Sequence, residues 1–256
     1  MLASDYRKEA RQKLAGKWGK SAIIILVYLV ISVILSYFDK HTEGFANFVI
    51  SIFTIIITVP IGYGLTITFL KLFNDEDVEF FDFLKDGFSN FGRAWNVAWS
   101  IFVKMLVPFI LVFVSYIIMA IGGAGALVSY MGNSSESTSG ALIGVLVIGI
   151  ILAIVSYIWL IVKSYAYQLT QLIAIENENM SSKDAVLESK KLMDGKKWRL
   201  FCLEFSFIGW AILAVLAFGI GILWLAPYMQ MALISFYKHT LDNKENAIQD
   251  PIQTNE

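Results

Sequence analysis

Three long apolar runs of this chain each begin just after a glycine, a basic residue and a tryptophan, in the stretches Gly16-Lys17-Trp18, Gly92-Arg93-Ala94-Trp95 and Gly195-Lys196-Lys197-Trp198. The indole ring prefers the headgroup zone of a bilayer, and lysine and arginine stay on its cytoplasmic side. The pattern, here called the entry pattern, therefore predicts that the chain enters a membrane three times from one face. Its predicted interfacial anchors are Lys17, Trp18, Arg93, Trp95, Lys197 and Trp198.

The composition also indicates a membrane protein. Of the 256 residues, 57% are hydrophobic and only 16% are charged, whereas soluble domains carry about 25% charged residues. The net charge of −1 gives no indication of a nucleic-acid partner, and the single cysteine, Cys202, excludes an intrachain disulfide.

The apolar blocks predict an all-α polytopic membrane protein with about six spans in a single integral membrane domain, residues 1–240. The expected spans are residues 21–38, 45–73, 95–121, 141–166, 199–218 and 220–237, before a polar cytoplasmic tail at 241–256. A re-entrant pair at 200–237 would fit equally well. Seventeen of the 20 lysines and arginines fall on one side of this arrangement, so the positive-inside rule places both termini in the cytoplasm.

A segment with helical amphipathic periodicity precedes each entry pattern. We expect these segments to be interfacial helices on the cytoplasmic face, and we hypothesise three repeated hairpin units. Independent acquisition of lysine and tryptophan at each entry is the alternative. The apolar positions are Tyr6, Ala10 and Leu14 in the first segment, Phe81, Leu84, Phe88 and Phe91 in the second, and Ala185, Val186, Leu192 and Met193 in the third.

Catalytic patterns are not found in the sequence. His41 and His239 fall on opposite sides of the predicted membrane, and no metal-ligand spacing, nucleophile elbow or phosphate loop is present. The chain is therefore predicted not to be an enzyme and to hold no cofactor and no metal. The acidic run Asp75-Glu76-Asp77 fits either a divalent ion or charge at a helix N-terminus, which the helix dipole favours.

Ionisable residues within spans are the main functional lead, because charge in hydrocarbon is costly. Lys104, Lys163 and Glu204 form a candidate intramembrane polar cluster, with Gln168, Gln171 and Gln230 as polar companions. The cluster fits a pocket for an anionic lipid headgroup or a small anion. The alternative, which we favour, is a structural Lys163–Glu204 pair, with Lys104 extending to the headgroups.

A candidate helix break lies in the second span at Pro60, Gly62 and Gly64. Proline removes a backbone donor, so we expect a kink or break here, packed on other helices.

The third entry resembles a known family. SKKLMDGKKWRLF at 189–201, LEFSFIGW at 203–210, FGIG at 218–221 and WLAPYMQ at 224–230 are similar to the C-terminal half of a bacterial integral membrane family, the domain of unknown function nine-seven-five. The stretches 10–19 and 62–83 also resemble it. Trp159 and Leu160 stand where family members often carry Pro-Gly, which removes the reason to expect a kink there.

The resemblance implies a multi-pass protein of the bacterial plasma membrane and supplies no activity. The family distantly resembles the membrane domain of some glycerophosphodiesterases. We therefore expect a non-enzymatic component of membrane lipid or cell-envelope homeostasis, with membrane lipids, anionic ones included, or a membrane protein as partners. The alternative is a small transporter or permease subunit, which requires a water-accessible site at a helix break such as that near Tyr63.

Overall fold

A computed structural model describes residues 2–132 and 136–253 of the chain. In these ranges every regular element is helical, which confirms the all-α prediction. The helices are α1 (Ala3–Leu14), α2 (Trp18–Lys40), α3 (Gly44–Phe73), α4 (Asp82–Ser89), α5 (Phe91–Met131), α6 (Glu136–Tyr167), α7 (Thr170–Glu176), α8 (Ser182–Leu192), α9 (Lys197–Phe205), α10 (Ile208–Leu216) and α11 (Ile222–Gln253).

Five stretches of the described chain are long and apolar enough to cross a membrane, which agrees with a polytopic membrane protein. They are Trp18–Phe38, Gly44–Phe73, Phe91–Met131, Gly140–Glu176 and Lys197–Leu216. The predicted count of six is not confirmed, because the segment 220–237 lies in α11 and is not among the five. Part of α11 is instead packed in the protein, where Met231, Ala232 and Tyr237 are fully buried.

The chain forms two compact units. The first contains the residues up to Trp99 and those from Gln168 onward, and the second contains Ser100–Tyr167. In the first unit α11 is the central helix and packs against α1, α2, α3 and α10.

The apolar faces of α1 and α8 cover protein. Tyr6, Ala10 and Leu14 of α1 are between 0 and 4% exposed, and the Tyr6 ring meets Phe236 of α11 edge-on at 5.3 Å. Ala185 of α8 is also fully buried. The apolar periodicity of α1 and of α8 therefore reflects packing onto the protein core. The expectation from the sequence was that both helices place these faces on the membrane surface.

The second amphipathic segment, α4, has the opposite arrangement. Phe81 and Phe88 of the predicted apolar face are 60% and 48% exposed, while Phe83 is buried. Phe83 and Gly87 contact α3, so the exposed phenylalanines lie on the outer face of α4 and can meet lipid.

Two of the three entry glycines end a helix. Gly16 after α1 and Gly195 after α8 have φ values of +76° and +68°, a conformation that only glycine adopts at little cost. Gly92 lies inside α5, which begins one residue earlier. The first and third entries thus share their local structure and the second differs, so the hypothesis of three repeated units is not confirmed.

α3 runs through Pro60, Gly62 and Gly64 without interruption, so the break expected there is not observed. Gly64 is instead the point at which α4 crosses the helix. A Cβ atom on Gly64 would lie 1.9 Å from the carbonyl oxygen of Phe83, and one on Gly87 would lie 2.3 Å from that of Pro60. The two glycines therefore allow direct contact between the two backbones, of the kind that Cα–H···O interactions stabilise.

Glycines also set the packing of the second unit. A Cβ atom on Gly122 of α5 would lie 2.4 Å from the backbone nitrogen of Leu146 in α6, and one on Gly149 would lie 2.8 Å from that of Met119. α5 continues through Gly122 to Met131 and does not end near residue 121 as predicted. Gly122 is instead a point of close contact with α6.

We predict that Gly64→Ala destabilises the protein and that Gly62→Ala does not. The added methyl at position 64 must push two backbones apart, at a cost of about 1–3 kcal/mol. At Gly62 it meets no atom within 4 Å and gains up to about 1 kcal/mol of helix propensity. Thermal unfolding of both variants in detergent measures the difference. Equal unfolding temperatures would contradict the backbone crossing.

Candidate functional site

Ion pairs join the basic N-terminal segment to the end of α3. Asp75 lies 2.6 Å from Lys13 Nζ and 2.7 Å from Lys17 Nζ, and Asp77 lies 2.5 Å from Lys20 Nζ. Asp75 follows the C-terminus of α3, with a φ of +65°, so the acidic run is not at a helix N-terminus as one interpretation required. Its charge is matched by lysines, and no cluster that could hold a metal is found in the described part of the chain.

The pairing changes the acidity of Asp75. The hydrogen bonds that Lys13 and Lys17 donate hold the pKa of this carboxyl down, from 3.8 to about 2. Because the pKa is lower in the folded state than in the unfolded state, the pairing stabilises the fold above pH 3.8. This contribution is lost as the pH falls through about 2.

A basic residue of each entry pattern donates to backbone carbonyl oxygens of another helix; these lie at a helix C-terminus for Lys17 and Arg93 and inside α11 for Lys196. Lys17 Nζ donates to the carbonyl oxygen of Leu72 at 3.0 Å, and Lys196 Nζ to that of Thr240 at 3.4 Å. Arg93 donates to the carbonyl oxygens of residues at and after the end of α7, namely Ala174, Asn177, Glu178 and Met180. The C-terminal ends of α3 and α7 carry partial negative charge, which these cations neutralise.

The three entry tryptophans have different surroundings. Trp18 meets Tyr228 of α11 edge-on at 6.0 Å, and the indole Nε1 of Trp95 is buried. Trp198 is 71% exposed and stacks on Phe201. Of the three, only Trp198 therefore has the exposure expected of an interfacial anchor.

Charged groups on the second half of α11 link it to three other helices. Glu9 of α1 accepts a hydrogen bond from Ser235, and its carboxylate lies 2.8 Å from His239 Nε2. Lys238 pairs with Glu176 of α7, and Lys244 pairs with Glu188 of α8. These contacts join α1, α7 and α8 to α11.

The first unit also contains an aromatic cavity of about 380 Å³, which lies between α1, α10, α11 and the start of α2. A tight turn at 217–221 joins α10 to α11 and brings Trp210 and Trp224 to the same cavity. Of the residues that line this cavity, only Trp18 was expected from the sequence to have a role, as an interfacial anchor. The available signal was the pair of tryptophans on either side of the glycine turn at 218–221. The principal lining residues are Arg11, Trp18, Trp210, Leu213, Trp224 and Tyr228.

Arg11 is the cation at this cavity. Its side chain is exposed, and the described residues provide it with no ion pair. One turn earlier, Nε of Arg7 is buried and has no hydrogen-bond partner among them. The positive charge next to the aromatic walls is therefore not neutralised by the described protein.

The predicted polar cluster is distributed over both units. Lys104 and Lys163 belong to the second unit, where Lys163 Nζ lies 5.8 Å from the centre of the Trp159 ring. Glu204 belongs to the first and accepts a hydrogen bond of 3.2 Å from Gln168. The three-residue cluster stays a prediction.

Two of the three glutamines that were predicted to accompany Glu204 lie near it. Gln168, Glu204 and Gln230 line a second cavity of about 110 Å³. Gln171 instead accepts a hydrogen bond from Thr66 of α3.

We predict that Asp75→Asn lowers the unfolding temperature at neutral pH and that the difference from the wild type shrinks between pH 3.8 and about 2. The substitution removes the charge that binds Lys13 and Lys17, and acid removes the same charge from the wild type. Glu76→Gln is the matched control, because Glu76 is exposed and forms no ion pair with the described residues. Equal effects of both substitutions would contradict a specific role for Asp75.

Comparison with known proteins places the chain in a family. The family model described as "Protein of unknown function (DUF975)" matches residues 1–244. No curated protein and no solved structure is significantly similar to the chain. Because the match covers nearly the whole sequence, the chain belongs to the DUF975 family of proteins of unknown function.

Proposed function

We propose that the protein is a multi-pass component of the bacterial plasma membrane that takes part in lipid or cell-envelope homeostasis by binding anionic lipids, without catalysing a reaction. The family has no assigned function, and five apolar helices of the protein are compatible with a membrane location. The proposal therefore depends on the charges of the first unit.

The observation that carries the proposal is the division of cations along the N-terminal segment. Lys13 and Lys17 share Asp75 as an ion-pair partner, and Lys20 pairs with Asp77. The earlier cations on α1, Arg7, Lys8 and Arg11, form no ion pair with the described residues. A cation near an anionic leaflet contributes about 1 kcal/mol, so these three can attract anionic lipid.

The proposed orientation has both termini in the cytoplasm. Seventeen of the 20 lysines and arginines lie in the segments assigned to that side. Ion pairs between α1, the connection after α3, α7, α8 and the second half of α11 support a common side for these segments.

The transporter alternative depends on water reaching Tyr63 at a helix break. The Tyr63 side chain is 2% exposed, and α3 is continuous at this position. Neither observation favours transport, and we therefore prefer the lipid-binding function.

We predict that deletion of the gene changes the proportion of anionic phospholipids or the sensitivity of cells to envelope stress, measured by lipid mass spectrometry and growth with detergent. The wild-type gene should restore both. The triple variant Arg7→Gln, Lys8→Gln, Arg11→Gln should fail to restore them at equal protein level, because the unpaired cations are removed.

The control for this experiment is Lys183→Gln, Lys190→Gln, Lys191→Gln. It removes the same charge from the exposed surface of α8 and should restore the wild-type phenotype. Unchanged lipids and stress resistance after deletion would overturn the proposed function.

A further inference from the structure

We infer that the aromatic cavity binds one acyl chain of an anionic phospholipid, whose phosphate is held by Arg11. The inference rests on the proposed lipid-binding function and assigns it a specific site.

The walls are suited to hydrocarbon. Trp210, Leu213 and Trp224 present apolar surface to the cavity, and Trp210 and Trp224 are 56% and 47% exposed. Aromatic rings of this size bury large apolar areas when they meet a ligand. An acyl chain would remove this surface from contact with polar groups, whereas water would find few partners on these walls.

The dimensions fit the segment of one acyl chain that lies nearest the headgroup. Gly221 and Tyr228 both line the cavity along α11, and seven residues of helix span about 10 Å. The volume of about 380 Å³ holds about a dozen groups the size of a water molecule, at about 30 Å³ each. An α-helix with its side chains is about 10–12 Å across and does not fit, which argues against a protein segment as the occupant.

The charge selects an anionic headgroup. Arg11 lines the cavity and is exposed, and it has no ion pair within the described part of the chain. The guanidinium group donates paired hydrogen bonds that match phosphate oxygens. Arg7, one turn away on α1, adds a second cation whose Nε lacks a hydrogen-bond partner among the described residues.

The tests use the full-length protein in detergent, titrated with dioleoylphosphatidylglycerol, dioleoylphosphatidylcholine or oleate, with bound lipid counted by native mass spectrometry. The wild type should retain one phosphatidylglycerol more tightly than phosphatidylcholine or oleate. Arg11→Gln should weaken this binding about tenfold, the effect of losing a charged hydrogen bond. Lys183→Gln, on the exposed surface of α8, should bind as the wild type does.

A second variant fills the cavity. Leu213 is 57% exposed, so Leu213→Trp should occupy the space without disturbing the core, and it should weaken binding of the acyl chain. Equal affinities for the two phospholipids, equal effects of Arg11→Gln and Lys183→Gln, or tighter binding of oleate would each overturn the inference. These binding results are independent of the deletion phenotype. The proposed cavity site can therefore be refuted while the proposed function stands, and the proposed function can be refuted while the cavity site stands.

Discussion

The docking of α1 onto α11 is the interaction on which the rest of the first unit depends. Tyr6 packs against Phe236, and Glu9 binds Ser235 and His239. The contact of Tyr6 with Phe236 buries apolar surface but does not favour one orientation of α1. The hydrogen bonds of the Glu9 carboxylate form in one orientation, so they fix the rotation of α1. That rotation places Arg11 at the aromatic cavity and Lys13 and Lys17 over Asp75.

Folding divides the cations of the chain into two groups. Some become structural, such as Arg93, which caps α7 through several carbonyl oxygens, and Lys17, which caps α3 and pairs with Asp75. Others, such as Arg11, stay unpaired among the described residues. A sequence count of lysines and arginines indicates which segments share a side of the membrane, but it does not distinguish these two groups. The separation matters for function, because only an unneutralised cation can attract an anionic ligand.

Glycines decide how closely the helices approach. Gly64 and Gly87 allow α3 and α4 to meet at their backbones, and Gly122 and Gly149 do so for α5 and α6. In an apolar environment close approach replaces the hydrophobic effect as the source of helix association. α3 is continuous around Pro60, and α5 extends past Gly122. Both sites appear in the sequence as signs of a break, because glycine alone does not show whether it loosens a helix or admits a neighbour.

The sequence by itself determined the helical fold, the apolar helices and the membership of the DUF975 family, because hydrophobic block length and local motifs are properties of the linear chain. It also indicated the faces of α1 and α8 that are buried. The tertiary structure decided what covers those faces, which cations are paired and where Trp210 and Trp224 meet. These depend on contacts between residues far apart in the chain: Glu9 and His239 lie 230 positions apart, and no local pattern encodes such a pairing. The entry patterns illustrate both what the sequence determined and what the tertiary structure decided. Their position next to apolar runs is visible in the sequence, whereas the role of Lys17 and Arg93 as helix caps follows only from the helix ends that folding brings to them.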